Sequence, residues 1–191
     1  MSYLPVHTKD TAPEASKKIL EQTQKAYGFV PNLFGVFASS PAMAEAYGVL
    51  TGIFEKTDLT PTERQIVLMT NNRLNGCTYC MAAHTTISQM QKVPADVIEA
   101  LRNGTKIADP KLQALHVFTA RINETRGFVD TADVDAFLAA GYTEGNILDV
   151  ILGTSLKVQS NYTNHISHTP VDAAFQPNAW EAPKAKVAVS A

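Results

Sequence analysis

Residues 59–84 read LTPTERQIVLMTNNRLNGCTYCMAAH, and this stretch decides the fold class. Thr60 is a typical helix N-cap, and Glu63 stands at the position that completes a capping box. The Asn-Gly pair at 75–76 is a typical helix stop. A second helix is therefore predicted to begin at or near Cys77, so the stretch predicts two consecutive helices joined by a tight turn.

Outward from this stretch, the same start and stop signals recur along the chain, and strand-like alternation is scarce. Residues 29–37 are interpreted as a short apolar turn. The predicted helices cover about residues 13–27, 41–55, 61–75, 77–91, 94–103, 110–127, 130–141 and 143–165. The sequence therefore predicts an all-α fold of eight or so helices.

The predicted organisation is a single helical domain over residues 1–175. Within it, residues 1–56 form an N-terminal helical lobe and residues 57–175 a core that contains both cysteines. Residues 176–191 are predicted to be a loose C-terminal tail. Gly153 lies in an apolar helix, which indicates the close approach of another helix.

The composition narrows the function classes. The chain has 191 residues, 16 Lys+Arg against 18 Asp+Glu, and no basic stripe, which argues against nucleic acid as a partner. No apolar run approaches the ~20 residues that a membrane span needs, and the N-terminus lacks the pattern of a secretory signal, so we expect a cytoplasmic protein without a membrane partner. Only 18% of the residues are charged, below the usual ~25%, which favours a homo-oligomer with part of its surface buried.

Cys77, Cys80 and His84 form a C-x-x-C-x-x-x-H pattern at the start of a predicted helix. Spacings of three and four residues place both pairs on one helical face. Cys80 and His84 are predicted to form a thiol–base pair, directly or through one water, with Cys77 one turn away. Helix position alone favours thiolate at Cys77, because the positive end of the helix dipole lies there. A thiolate, a second thiol and a proton donor are the groups that peroxide reduction requires.

Other interpretations of the cysteine pair remain open. A structural disulfide would close a loop of only about four residues and contribute roughly 2 kcal/mol. A zinc site would need His165 or His168 as a fourth ligand, at a spacing unlike the usual structural sites. A thioredoxin-like motif normally follows a strand, which this sequence lacks. Two buried thiols without any chemistry are the remaining alternative.

The segments 59–66 and 75–84 resemble the core of the carboxymuconolactone decarboxylase family, and more specifically its AhpD-like alkylhydroperoxidases. The core resemblance covers about residues 59–103. The segments 160–165 and 169–172 more weakly resemble the C-terminal signature of the peroxidase-related branch. The resemblance implies an AhpD-like helical bundle that assembles into dimers, trimers or hexamers.

By the same resemblance, Cys80 is the peroxidatic cysteine, Cys77 the resolving cysteine and His84 a proton relay. The peroxidase members carry a Glu twelve positions before the first cysteine, where this chain has Gln65. Gln65 cannot exchange a proton at neutral pH, so another acid supplies the charge or the relay is weaker. Tyr79 stands where the AhpD type has a His between the cysteines.

Other interpretations apply to Glu63, His165 and His116. Glu63 lies about 200° around the helix from Gln65 and cannot replace the missing acid from there. His165 is a candidate for the wall of the active site, although a cation at a helix end is the simpler interpretation. His116 is interpreted as a core or interface residue.

The leading hypothesis is a thiol-dependent peroxidase that reduces hydroperoxides through a Cys77–Cys80 dithiol/disulfide cycle. Its partners would be a hydroperoxide and an unidentified thiol/disulfide reductant protein, and no cofactor or metal is expected. A lactone-acid decarboxylase is an alternative, although such members generally lack the cysteine pair. A redox sensor or degenerate family member is another, made more plausible by Gln65.

Overall fold

The structure of the chain is a computed structural model, and it describes residues 3–183. Within these residues there are nine α-helices, one short 3-10 helix and no strand, which confirms the all-α prediction. The helices are α1 (Glu14–Tyr27), α2 (Asn32–Phe37), α3 (Pro41–Phe54), α4 (Pro61–Leu74), α5 (Thr78–Met90), α6 (Ala95–Asn103), α7 (Pro110–Thr125), α8 (Thr131–Ala139) and α9 (Glu144–Ser167), followed by the 3-10 helix Gln176–Asn178.

The predicted starts of α4 and α9 are confirmed by their hydrogen bonds. At the start of α4, the Glu63 amide donates to Thr60 Oγ1 at 3.2 Å, and the Thr60 amide donates to Glu63 Oε2 at 2.8 Å. This reciprocal capping box satisfies two backbone donors that the helix itself leaves free. Thr143 starts α9 in a similar way. Local sequence therefore sets where these two helices begin.

The interpretation of residues 29–37 as a turn is wrong, because they contain the helix α2. The amide of Asn32 donates to Asp172 at 3.1 Å, so a carboxylate 140 positions away caps this short helix. Phe34 and Phe37 of α2 pack against Tyr47 of α3, with ring centroids 5.7 and 4.9 Å away. The helix depends on tertiary partners that local signals do not reveal.

Helix α4 is the centre of the bundle and packs against α5, α6, α7 and α9. Its residues from Gln65 to Asn72 are all buried. Gly153 of α9 lets that helix approach closely, since a Cβ there would lie 2.7 Å from Val67 and 2.8 Å from Phe54. The predicted close approach is therefore found within the chain itself.

The C-terminal half of α9 buries a polar face. Its buried residues include Lys157, Ser160, Asn161 and Asn164. On its outer side, α9 exposes large apolar residues such as Leu148 and Ile166. The expected homo-oligomer stays a prediction.

The prediction of a loose tail is wrong for its first residues. Arg102 of α6 donates to the carbonyl oxygens of Asn178 and Ala179, both at 3.1 Å. In return, Trp180 donates its indole N–H to the carbonyl oxygen of Arg102 at 3.0 Å. The 3-10 helix and Trp180 are thus fastened to the bundle, and residues 184–191 lie outside the described residues. The other predicted domain boundaries stay predictions.

None of the helices described between residues 3 and 183 combines the length and apolar character that crossing a membrane demands. The predicted cellular location stays a prediction.

Candidate dithiol site

The turn between α4 and α5 places both cysteines. Gly76 has a φ of 67°, a left-handed conformation that favours glycine, and it reverses the chain after α4. Cys77 is the N-cap of α5, and its sulfur accepts a hydrogen bond from the Cys80 amide at 3.4 Å. Both cysteines are free thiols and nearly inaccessible, with exposures of 1% and 2%. The helix start therefore brings the two sulfurs to one end of α5.

Asn164 of α9 connects the two sulfurs to the rest of the site. Its Nδ2 lies 3.2 Å from Cys80 Sγ and 3.7 Å from Cys77 Sγ, close enough to donate to both. Its Oδ1 is buried and has no hydrogen-bond partner among the described residues. A buried acceptor without a partner is costly, and it commonly marks a functional position. Sequence reasoning missed this residue.

The thiol–base pair predicted between Cys80 and His84, directly or through one water, is not formed by a direct hydrogen bond. Both ring nitrogens of His84 have other partners: Nδ1 lies 2.9 Å from Gln65 Oε1, and Nε2 lies 2.9 Å from Lys157 Nζ. An ammonium can only donate, so Nε2 accepts and the ring proton is on Nδ1. Gln65 in turn donates its amide to Gln91 Oε1 at 3.1 Å. His84 is therefore neutral and held from both sides.

Lys157 is the second site residue that sequence reasoning missed. It is only 1% exposed, in a position where a lysine is rarely found without a charged partner. The signal in the sequence was a polar series at helical spacing, which comprises Lys157, Ser160, Asn161 and Asn164. That series becomes informative only once the face is known to be buried.

The electrostatics of the site favour a thiolate on Cys80. Burial raises the pKa of Cys80, but the hydrogen bond from the Cys77 thiol and the charge of Lys157 lower it. The side chains of Ser160 and Asn161 add to this effect, and the pKa falls to about 5. The assignment of Cys80 as the attacking cysteine stays a prediction, and these contacts support it.

The pKa of Cys77 moves in the opposite direction. Its hydrogen bond to Cys80 raises the pKa most, and burial raises it further. The favourable position at the start of α5 does not make Cys77 the thiolate, because the two thiols titrate together and Lys157 interacts more strongly with Cys80. The pKa of His84 is well below its usual value, owing to burial and to the charge of Lys157.

A pocket of about 420 Å³ opens beside the cysteines. The pocket is lined by Cys77, Thr78, Tyr79, Asn164, His165, His168 and Thr169. His165 and His168 are exposed residues of this pocket lining, and a role of His165 in the wall of an active site stays a prediction. Cys77 is the sulfur that lines the pocket, and Asn164 is the side chain that reaches from the pocket to Cys80.

Tyr79 lines the pocket with part of its surface, but its hydroxyl is used elsewhere. Tyr79 Oη donates to Asp172 Oδ2 at 2.6 Å and accepts from the Leu33 amide at 3.3 Å. Burial, together with the Asp172 carboxylate, raises the pKa of the phenol. Its interactions therefore fasten α5 to α2 and to the segment after α9.

A zinc site, one of the alternatives left open by the sequence, loses support. Among residues 3–183, no three His, Cys, Asp or Glu side chains lie close enough to hold a metal ion. The ligand set that a zinc site would need is therefore not assembled there. Glu63 is occupied by its capping box and accepts from Tyr142 Oη at 3.0 Å, so it is a structural residue.

His116 lies apart from the cysteines. It is partly buried, and its Nδ1 lies 2.8 Å from Thr70 Oγ1. These contacts agree with a packing role between α7 and α4.

The comparisons with known proteins agree with the resemblance seen in the sequence. The profile of the carboxymuconolactone decarboxylase family matches residues 41–120, which confirms the family resemblance seen in the sequence. No curated protein matches the chain significantly.

Several solved structures share the fold. An uncharacterized peroxidase-related protein from Ralstonia eutropha, described as an alkylhydroperoxidase AhpD core, has a TM-score of 0.81 at 24% identity, over 91% of this chain and 94% of that chain. A peroxidase-related protein from Silicibacter sp. has a TM-score of 0.77 at 19% identity, over 91% and 92%. The debrominase Bmp8, solved as a cysteine-to-alanine variant in complex with 2,3,4-tribromopyrrole, has a TM-score of 0.76 at 16% identity, over 93% and 97%. At these identities the similarity establishes the AhpD-like helical fold.

Proposed function

Residues 41–120 belong to the carboxymuconolactone decarboxylase family, and from this premise we propose that the chain is a thiol-dependent peroxidase. It reduces hydroperoxides through a cycle in which Cys77 and Cys80 alternate between dithiol and disulfide. The observation that carries the proposal is the pairing of two free thiols with a buried cation, which lowers the pKa of Cys80. A buried thiolate beside a second thiol is suited to two-electron reduction.

In the first step, the Cys80 thiolate attacks the outer oxygen of the hydroperoxide. An S–O bond forms, the O–O bond breaks, and the alkoxide leaves and takes a proton to become an alcohol. Cys80 becomes a sulfenic acid. In the second step, the Cys77 sulfur attacks Cys80, a disulfide forms, and the hydroxyl group leaves as water.

An external dithiol completes the cycle. It attacks the disulfide at Cys77, which lines the pocket, and a mixed disulfide then resolves to restore both thiols. Cys77 is the target we assign to this reductant, because Cys77 lines the pocket and Cys80 does not. The pocket therefore serves both the incoming hydroperoxide and the reductant.

Asn164 is positioned to orient the hydroperoxide. Its Nδ2 donates toward Cys80 Sγ, while its Oδ1 has no partner and can accept the hydrogen of the O–O–H group. Both atoms belong to one rigid amide, so a hydroperoxide bound at Oδ1 lies close to the attacking sulfur. Such positioning is a major source of rate acceleration in enzymes.

Mass spectrometry of the reduced protein after one equivalent of an organic hydroperoxide tests the proposal. We expect a loss of two hydrogens confined to the peptide that contains Cys77 and Cys80, with one alcohol formed per disulfide. Reduction by an excess of a small dithiol should restore the original mass. Unchanged thiols after this treatment would rule out the peroxidase.

Replacing Asn164 by aspartate tests whether the amide of Asn164 stabilises the Cys80 thiolate. The change removes a donor to Cys80 and adds a negative charge 3.2 Å from its sulfur, so the pKa of Cys80 rises. We expect the pH at which iodoacetamide alkylation of Cys80 is half-maximal to increase by at least about one unit. Asn164→Leu is the control: it removes the donor without a charge, so its shift should be smaller. Equal shifts in both variants would contradict this charge effect.

Thiol-dependent debromination is a second candidate, favoured by the fold similarity to Bmp8 and its tribromopyrrole complex. A dithiol can supply two electrons to a bromoarene, giving the arene, a bromide ion, a proton and the disulfide. The two candidates separate in one assay, in which either a hydroperoxide or tribromopyrrole is offered to the reduced protein. Bromide release without hydroperoxide consumption would replace the peroxidase by this second function.

A further inference from the structure

Lys157 is a fully buried ammonium group inside the bundle. Its Nζ lies 2.9 Å from His84 Nε2, and its exposure is 1%. Burying an isolated charge is strongly unfavourable, so a buried lysine either has an anionic partner or loses its proton. The identity of that partner decides the protonation state of Lys157.

The groups that face Lys157 come from three helices, and one of them supplies the negative charge. Helix α5 and its N-cap contribute Cys80, the neutral His84 and Cys77, and α3 contributes the hydroxyl of Tyr47. The charge of Lys157 also has a small lowering effect on the pKa of Tyr27 in α1. No carboxylate of residues 3–183 is ion-paired with Lys157.

Among the groups that face Lys157, Cys80 contributes the largest opposing charge, so we infer that its thiolate is the counter-ion. Burial lowers the pKa of Lys157, and the charge of Cys80, with further contributions from Tyr47 and Cys77, raises it above its usual value. Each charge stabilises the other, so the reduced site holds an ion pair with no net charge. Disulfide formation removes the anion and leaves the cation without a partner.

We propose that Lys157 is the proton source of the oxidation step: it holds its proton while Cys80 is a thiolate and releases it when the disulfide forms. This inference rests on the proposed dithiol function and names the group that protonates the leaving oxygen. The neutral Nε2 of His84 keeps Nζ in position through its hydrogen bond. Lys157 would thus act in each turnover and regain its proton on reduction.

The reaction balances with this proton. A thiolate, a thiol, a hydroperoxide and an ammonium give a disulfide, an alcohol, a water molecule and a neutral amine. The two sulfurs lose two electrons, and the O–O bond gains them. No proton is taken from the solvent. If Lys157 instead kept its proton, one solvent proton would be consumed for each disulfide.

A proton count during oxidation tests the inference. Reduced protein in weak buffer with a pH indicator receives one equivalent of diamide, an azo compound that oxidises dithiols and itself takes up two protons. For the wild type, we expect about zero solvent protons per disulfide, together with thiolate absorbance before oxidation. Diamide replaces the hydroperoxide here so that the count does not depend on peroxidase activity. A parallel experiment with a hydroperoxide in place of diamide then tests the proposed peroxidase function separately.

The Lys157→Arg variant is expected to differ from the wild type in the number of protons taken up per disulfide. A guanidinium pairs with the thiolate but does not release its proton, so uptake should rise to about one proton per disulfide. Lys106→Met is the matched control, since it removes a lysine charge from an exposed position and should leave the count at about zero.

If the arginine variant does not fold, two measurements on the wild-type protein can still contradict the inference. An uptake of about one proton per disulfide would show that Lys157 stays charged. Absence of thiolate absorbance at neutral pH would show that the ion pair does not exist. A normal count with diamide but no reaction with hydroperoxide would retain the proton switch and reject the peroxidase.

Discussion

Cys80→Ala is expected to reduce the oxidation of the protein by hydroperoxide to less than about 1% of the wild-type rate, because the attacking thiolate is removed. Cys77→Ala should behave differently. Its Cys80 still attacks, but no second thiol closes the disulfide, so the protein gains one oxygen, about 16 Da, as a sulfenic acid. Stopped-flow consumption of one equivalent of hydroperoxide and intact-protein mass measure the two outcomes.

Each alanine variant is the control for the other, since both remove a buried thiol from the same turn. The different positions of the two sulfurs make the contrast informative: Cys77 lines the pocket, and Cys80 has the lowered pKa. The reverse pattern, with Cys77→Ala inactive and Cys80→Ala gaining one oxygen, would show that access outweighs charge and would exchange the two roles.

Local sequence was sufficient for most of the fold. Thr60 and Thr143 cap their helices with their own side chains, so the signals and the hydrogen bonds lie within four residues of each other. Helix α2 escaped prediction because its cap, Asp172, comes from the far end of the chain. Signals that act over short distances along the sequence were therefore reliable, whereas tertiary caps were not visible.

The candidate site followed the same rule. The spacing of Cys77, Cys80 and His84 correctly places them on one helix, but it does not reveal what competes for the imidazole. Gln65 and Lys157, from α4 and α9, occupy both ring nitrogens. Three helices must pack together before these contacts exist, so no pattern within a single helix predicts them.

Lys157→Met is expected to lower the rate of hydroperoxide oxidation at neutral pH by at least about 30-fold. Without the cation, the pKa of Cys80 returns to or above that of a free thiol, ~8.5, and about 3% or less of Cys80 is then thiolate at pH 7. The pH profile of Cys80 alkylation should move upward in parallel. An unchanged profile would show that other donors, such as Asn164, suffice to hold the thiolate.

The interaction of Lys157 with Cys80 also reverses the expected effect of Gln65→Glu on the reaction rate. Read from the sequence alone, Gln65 replaces a needed carboxylate, so Gln65→Glu should increase activity. In the structure a new carboxylate would accept from His84 Nδ1 and place a second anion beside the hydrogen-bond partner of Lys157. That anion competes with Cys80 for the cation, and it also faces the Gln91 oxygen to which Gln65 now donates. We therefore expect Gln65→Glu to lower the rate, by about tenfold, through a higher pKa of Cys80.

Gln91→Glu is the matched control, because it adds the same charge at an exposed position one hydrogen bond further from His84 and leaves the Gln65 amide in place. Its rate should stay close to that of the wild type. If Gln65→Glu is faster than the wild type, the relay lacks an acid, and Lys157 does not supply it. If Gln65→Glu is slower while Gln91→Glu keeps the wild-type rate, a neutral residue at position 65 is required for Lys157 to stabilise the Cys80 thiolate. Gln65 then contributes to the activity of this site.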